Sequence, residues 1–274
     1  MRQLIGFACC DAPLLGTLDM SPGASARTGL LIVSGGNEIR IGAHRGMALL
    51  ADRIASGGFP VFRFDRRGIG DSGGINGGFE TSGPDIAAAA ACFRNTARVD
   101  RILGFGNCDA ASALMLFHRD AGLDGLVLAN PWAVMPRDDL PPPAAIRARY
   151  AARLRDPKAW VRLLRGGVDL GKLARGLARI SRARTGGADG NLLADRLAAA
   201  LSASTVPTTL LLATRDNSAI AFADILGSPA FAAIRDRLRC ERLDSASHSF
   251  AGPEDGEWLH ARLIAALEGT AVRD

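Results

Sequence analysis

Short apolar runs of four to seven residues alternate along the chain with stretches whose apolar positions recur at helical spacing. The runs predict strands at Leu30–Val33, Val61–Phe64, Arg101–Phe105, Leu126–Ala129, Thr209–Ala213 and Glu241–Leu243. Between them the spacing predicts helices over Arg45–Ser56, Pro84–Thr96, Asp109–Arg119, Ile220–Leu238 and Glu257–Leu267. The strands are almost continuously apolar, as expected when both faces of a sheet are covered. Alternation with helices implies right-handed crossovers and a mostly parallel sheet. Before the first of these strands, residues 1–20 read as two edge strands around a turn at Cys10-Asp11-Ala12-Pro13.

The alternation breaks once. From Asn130-Pro131-Trp132 to Val206-Pro207 there is no good strand, and after the stop at Pro141-Pro142-Pro143 the chain is rich in Arg, Leu and Ala. The expected organisation is a core over residues 1–135, a helical insertion or cap over 136–205 and the rest of the core over 206–274. Charge sets the insertion apart. Residues 141–205 hold eleven Arg and two Lys against four Asp and no Glu, a net +9 within a chain of net +5. Arg supplies 31 of the 33 basic residues overall, so Arg-richness alone says little about binding. With only Tyr150 and Trp160 as stacking aromatics in that segment, and no recognisable module, a nucleic-acid partner is not expected. No apolar run reaches the roughly 20 residues of a membrane span, and the N-terminus lacks the pattern of a signal peptide. A cytoplasmic protein is expected.

The five cysteines, at 9, 10, 92, 108 and 240, form no disulfide framework and no metal-binding spacing. Neither a metal nor another cofactor is expected. Cys9 and Cys10 read as strand residues, and Cys92 and Cys240 as small buried apolar residues. Cys108 differs, because it stands where a strand turns directly into a helix. In an open parallel sheet that carboxyl edge is where ligands bind. Gly106-Asn107-Cys108-Asp109-Ala110 has the small-x-nucleophile-x-small form of a nucleophile elbow, whose flanks must be small because strand and helix pass close together. A helix N-terminus also favours a thiolate. Two roles are open for the Asp109 side chain: it complements the helix dipole, or it opposes thiolate formation.

An elbow needs a base and a carboxylate that orients it, in the chain order nucleophile, acid, base. Asp216 follows the strand Thr209–Ala213, and His248 follows the strand Glu241–Leu243, before the last helix. Asp224 and Asp244 are less well placed acids, and His118 and His260 lie within helices. The loop Ser34-Gly35-Gly36-Asn37 follows the strand Leu30–Val33. The amide of Asp109 and that of Gly36 or Asn37 are the expected oxyanion donors, with Gly35 letting the backbone approach substrate. Trp132, at the end of Leu126–Ala129, is a further substrate-binding candidate. In Pro60–Gly74, Asp65, Arg66, Gly68 and Gly70-Asp71-Ser72 read as mainly structural.

FRFDRRGIGDSGG is similar to the strand-loop signature of α/β-hydrolases. Residues 35–74, the stretch GFGNCDAASALMLFHRDAGLDGLVLANPW (104–132) and SHSF (247–250) more specifically resemble the exosortase A system-associated hydrolase 1 family. That resemblance covers most of residues 1–135 and the triad-bearing end, and is weakest in the basic insertion. It implies an α/β-hydrolase fold, a Cys-centred elbow and association with exopolysaccharide and protein-sorting loci. It also places His44 and Arg45 in the loop entering the first helix, where they line the pocket or pack the helix start. The Cys-Asp-His order resembles dienelactone hydrolases.

Together these features point to hydrolysis of an ester or thioester through Cys108, His248 and Asp216. An anionic acyl group on coenzyme A or a carrier protein would suit the basic insertion. A non-catalytic scaffold and an acyltransferase are the alternatives. The acyl group, the leaving group and the oligomeric state are not specified by the sequence.

Overall fold

The computed structural model describes residues 1–23, 27–133 and 192–271. Fourteen elements matter here. In chain order they are β1 (Arg2–Cys9), β2 (Ala12–Asp19), β3 (Thr28–Val33), α1 (Gly46–Ser56), β4 (Val61–Phe64), α2 (Gly83–Ala97), β5 (Arg101–Asn107), α3 (Asp109–Phe117), β6 (Gly125–Ala129), α4 (Leu192–Ser202), β7 (Thr208–Ala213), α5 (Asn217–Leu226), β8 (Arg239–Leu243) and α6 (Pro253–Ala271). The strands form one sheet in the order β1-β2-β4-β3-β5-β6-β7-β8. The β1–β2 and β2–β4 pairs are antiparallel and all the others are parallel. This is the mostly parallel sheet expected from the alternating pattern, in the α/β-hydrolase arrangement that the resemblance implied.

The central strands are buried on both faces because each face carries its own helical layer. Leu31, Val33, Phe62 and Phe64 join Ile86, Phe93, Leu114, Leu197 and Phe222 of α2, α3, α4 and α5. Leu30, Ile32, Phe105 and Val127 point the other way, onto Leu50 and Ile54 of α1 and Leu259, Leu263 and Leu267 of α6. Within β4 a guanidinium replaces an apolar side chain. Arg63 is 2% exposed and donates to Asp19 Oδ2 through Nε and Nη2, at 3.2 and 2.8 Å. The pairing gives each of these two buried charges a counter-ion.

Two boundaries and the burial of two cysteines differ from expectation. The long helix expected over Ile220–Leu238 is α5 followed by two 3₁₀ turns, Pro229–Phe231 and Arg235–Arg237. Gly227 closes α5 and Pro229, with no N–H to give, prevents its continuation. The last helix starts earlier than expected, at Pro253, which suits a first helical position. Cys92 and Cys240, expected to be buried, are only half-buried.

Most of the expected insertion over 136–205 lies outside the described residues. Its last part, α4, belongs to the helical layer on the sheet. Leu193, Ala194, Leu197, Ala198 and Leu201 are buried with α3 in the main core, so this helix packs as part of the core rather than as a cap. Among the described residues, no helix is long and apolar enough to cross a membrane. Truncating Leu197, which is fully buried, is expected to destabilise the protein by about 2–4 kcal/mol. Denaturant unfolding measures this, and a change under about 1 kcal/mol would mean that α4 is peripheral.

Candidate active site

The carboxyl ends of β3, β5, β7 and β8 each deliver part of one site. Cys108 has φ 61° and ψ −128°, a conformation that a side chain rarely adopts. It is held there from both sides. Its amide donates to Ala129 O at 3.0 Å, and its carbonyl accepts from Trp132 N at 3.1 Å. Ser112 Oγ in turn donates to the Trp132 carbonyl. The small flanks are needed as the sequence suggested. A Cβ on Gly106 would lie 2.8 Å from the Ala110 carbonyl carbon and 2.9 Å from a Leu114 methyl. Ala110 itself is fully buried.

Asp216 has two tasks, one for each oxygen. Oδ1 accepts from the amides of Ser218 and Ala219 at 3.0 Å, capping α5. Oδ2 accepts Nδ1–H of His248 at 3.0 Å. Burial opposes ionisation of Asp216, but the hydrogen bonds from His248, Ala219 and Ser218 outweigh it and hold the carboxyl below its ordinary range. With Nδ1 engaged by Asp216, Nε2 is left outside that bond, and His248 lines one cavity together with Cys108. The hydrogen bond to Asp216, then that to Cys108, raise the His248 pKa to about 10 against the opposing effect of burial.

The loop carrying His248 is tied down at several points. Asp255 accepts Ser245 Oγ at 2.5 Å, Ser245 Oγ accepts Ser247 N at 2.9 Å, and Phe250 stacks on Trp258 with ring centres 5.6 Å apart. Asn130 is a member that sequence reasoning missed. It is fully buried at the end of β6, with φ 42°. Its Nδ2 donates to His248 O at 2.8 Å and its Oδ1 accepts Ala213 N at 2.8 Å. One amide thus ties the histidine loop to the strand that presents Asp216. An Asn ending an apolar strand at the carboxyl edge, in LANPW, was the available signal.

Gly35 and Gly36 stand opposite the elbow. Val33, Ser34, Gly35, Gly36, Glu38, Met47, Phe105, Asn107, Cys108 and His248 line a cavity of about 180 Å³. The Gly36 amide, an expected oxyanion donor, donates to Asp109 Oδ1 at 2.6 Å. A Cβ on Gly35 would lie 2.7 Å from that oxygen and 2.7 Å from Asn107 O, so only glycine allows the approach. Asp109 therefore reaches across to the loop after β3, a contact that neither role considered for it anticipated. Asn37, His44, Arg45 and Trp132 are not among the cavity's lining residues. Asn37 accepts from Asn76 Nδ2 at 3.0 Å, and His44 and Arg45 are exposed on a turn, both with left-handed φ. Trp132 acts on the elbow through its backbone.

The other acids and histidines stand elsewhere. Asp244 pairs with Arg215 at 3.0 Å, and Asp224 lies within α5. His118 is buried, its Nδ1–H donating to Met115 O at 2.9 Å, and burial lowers its pKa. A larger hollow of about 450 Å³ opens at the opposite end of the sheet, around Leu103, Leu126, Val206 and Pro207. Ser204, Thr205, Thr208 and Thr209 line it, with no cysteine or histidine among its lining residues. Asp65, in the signature loop, accepts from Arg40 N at 2.6 Å, and Ser72 Oγ donates to Asp65 O at 2.7 Å, in keeping with the structural role expected of that loop.

No protein-family model matches the chain, and no curated protein matches it in sequence. Solved structures do resemble it. An esterase of Pyrococcus furiosus superposes with a TM-score of 0.65 at 14% identity, covering 99% of this chain and 91% of its own. An α/β serine hydrolase without a lid from Xanthomonas campestris gives 0.57 at 14%, covering 99% and 94%. A hydrolase from Pseudomonas aeruginosa gives 0.54 at 22%, covering 96% and 98%. At these identities the likeness establishes the α/β-hydrolase fold.

The raised His248 pKa has a testable sign. A histidine whose pKa is higher in the folded protein contributes stability that is complete below its unfolded value, near 6.5, and lost as pH rises through about 10. In Asp216→Asn, whose side chain still caps α5, that contribution is expected to shrink. The variant's stability deficit should be largest near pH 6 and fade towards pH 10. Chemical denaturation across that range checks it. Titration of the His248 ring by NMR should give a midpoint near 10 in the wild type and a lower one in the variant.

Proposed function

We propose that this protein hydrolyses thioesters or activated esters through an S-acyl intermediate on Cys108, with His248 as acid and base and Asp216 orienting the ring. What supports this is the His248 ring, held by Asp216 at 3.0 Å and lining one cavity with Cys108 at the carboxyl edge of the sheet. The names borne by its structural neighbours, esterase and hydrolase, agree with it. The residue-level resemblance of 35–74, 104–132 and 247–250 supports placing it in the exosortase A system-associated hydrolase 1 family.

In the first half-reaction the Cys108 thiolate attacks the acyl carbon. A C–S bond forms and the carbonyl π pair moves to oxygen, which takes hydrogen bonds from the Asp109 amide and a β3-loop amide. The tetrahedral species collapses, the bond to the leaving group breaks, and the imidazolium Nε2–H protonates that group as it departs. Acylation removes the thiolate, the second contributor to the raised His248 pKa. The imidazole, now neutral and still held by Asp216, can take a proton from water. The hydroxide so formed attacks the S-acyl carbon, the C–S bond breaks, and the free acid leaves as the thiolate and imidazolium are restored.

A thiolate is both a good nucleophile and a good leaving group, so substrates with leaving groups of comparable quality are favoured. A cavity of about 180 Å³ suits a short acyl chain. The +9 charge of residues 141–205 favours an anionic carrier such as coenzyme A or an acyl carrier protein.

Short-chain acyl-CoA thioesters and p-nitrophenyl esters are the substrates to test. Turnover should fall at least about 10³-fold in Cys108→Ala and in His248→Ala, and acid quenching should trap an acyl group on Cys108 in the wild type. Turnover that survives in Cys108→Ala would overturn the mechanism. An absence of turnover on every substrate would favour a scaffold, and new esters formed with added alcohols would favour an acyltransferase.

A further inference from the structure

Gly36 lies between two charged groups. Its amide N–H is taken by the Asp109 carboxylate at 2.6 Å. Its carbonyl accepts from Arg66 Nη2. Arg66 is 3% exposed, and its Nε and Nη1 have no hydrogen-bond partner among the described residues. A buried guanidinium is ordinarily matched to a carboxylate, as Arg63 is to Asp19. For Arg66 no carboxylate lies within ion-pair distance among the described residues, and Asp109 stands across a single residue from it.

The Asp109 contact has a chemical consequence. Gly36 lines the cavity beside Cys108 and His248, and an anionic oxygen on its amide already occupies the donor that an oxyanion would use. A carboxylate there also repels the charge that develops on the substrate oxygen. Resting on the proposed acyl-transfer reaction, we infer that Asp109 is a positioning residue with two states. In the resting state Asp109 stands in for the oxyanion on Gly36 N–H. In the working state it turns to the vacant nitrogens of Arg66, frees the amide and has its charge neutralised. The left-handed φ of Gly36, +54°, and the open space around its Cα give the loop room for the exchange.

The closing experiment has a catalytic arm and one that needs no turnover. In the first, losing one oxyanion donor costs about 10²–10³ in kcat, so Asp109→Ala, which releases the donor, is expected to raise kcat by about 10-fold or more. Arg66→Met is expected to lower kcat about 10-fold in the wild type but by less than about 2-fold in the Asp109→Ala background. An equal loss from Arg66→Met in both backgrounds would overturn the exchange, since a merely structural role does not depend on Asp109. In the second arm, Cys108 is alkylated with iodoacetamide and, separately, with the anionic iodoacetate. Asp109→Ala should raise the iodoacetate rate relative to iodoacetamide at least about 10-fold, because the reagent's carboxylate gains the vacated amide. Asp109→Asn, which keeps the shape without the charge, should give a smaller rise. An unchanged ratio in both variants overturns the occupancy. A shifted ratio with no turnover on any substrate upholds the occupancy and overturns the hydrolytic reading instead.

Discussion

The site depends on one backbone constraint, the left-handed corner at Cys108. Residues with a Cβ avoid positive φ unless their surroundings impose it. Here the imposing contacts are specific. The Cys108 amide is drawn to the end of β6, its carbonyl receives Trp132 N, and helix α3 begins at the next residue. The strand-to-helix approach is close enough that Gly106 tolerates no side chain. Lifting the sulfur above the sheet therefore rests on the packing of β5, β6 and α3. These elements also fill the main core, so stability and site geometry come from the same contacts.

From that corner the remaining groups follow by topology. Parallel strands all end at the same edge of the sheet, so the loops after β3, β5, β7 and β8 converge although their residues are far apart in sequence. Two economical contacts turn proximity into geometry. Asp216 uses one oxygen to cap α5 and the other to hold His248, so the orientation of the imidazole is set by a helix start. Asn130 bonds both the backbone of His248 and that of β7, which ties the His248 loop to the strand that presents Asp216. A side chain that moved either group by an ångström would weaken the histidine's link to both carboxylate and sulfur.

The parts legible in the sequence are those with a local signature. The buried strands showed as apolar runs, and the elbow showed because two small residues must flank a strained one. Asp216 and His248 showed because each follows a strand at the edge where ligands bind. What was not legible depends on pairs distant in sequence. Asn130 looked like a strand terminator until its partners at 213 and 248 were placed beside it. The partner of Arg63 could not be read from its strand, because Asp19 meets it only when β2 and β4 pair. The end of α5 was misplaced because a run of apolar residues continued past Gly227 and Pro229, whose backbone chemistry outweighs the side-chain pattern.

The reach of Asp109 to Gly36 belongs to the same class of long-range pairs, 73 residues apart, and it changes the charge balance of the site. Two carboxylates, those of Asp216 and Asp109, share the carboxyl edge with the His248 ring and the guanidinium of Arg66. Asp216 and His248 satisfy one another directly. That leaves the Asp109 carboxylate in the first turn of α3, where the helix dipole favours it. Arg66 is the charge that could balance it, yet its bond goes to a neutral carbonyl and, among the described residues, two of its nitrogens have no partner. An added oxyanion makes this imbalance worse unless Asp109 and Arg66 come together. Charge neutrality and hydrogen-bond satisfaction thus favour the same rearrangement, and both are met only when the Gly36 amide is free for substrate.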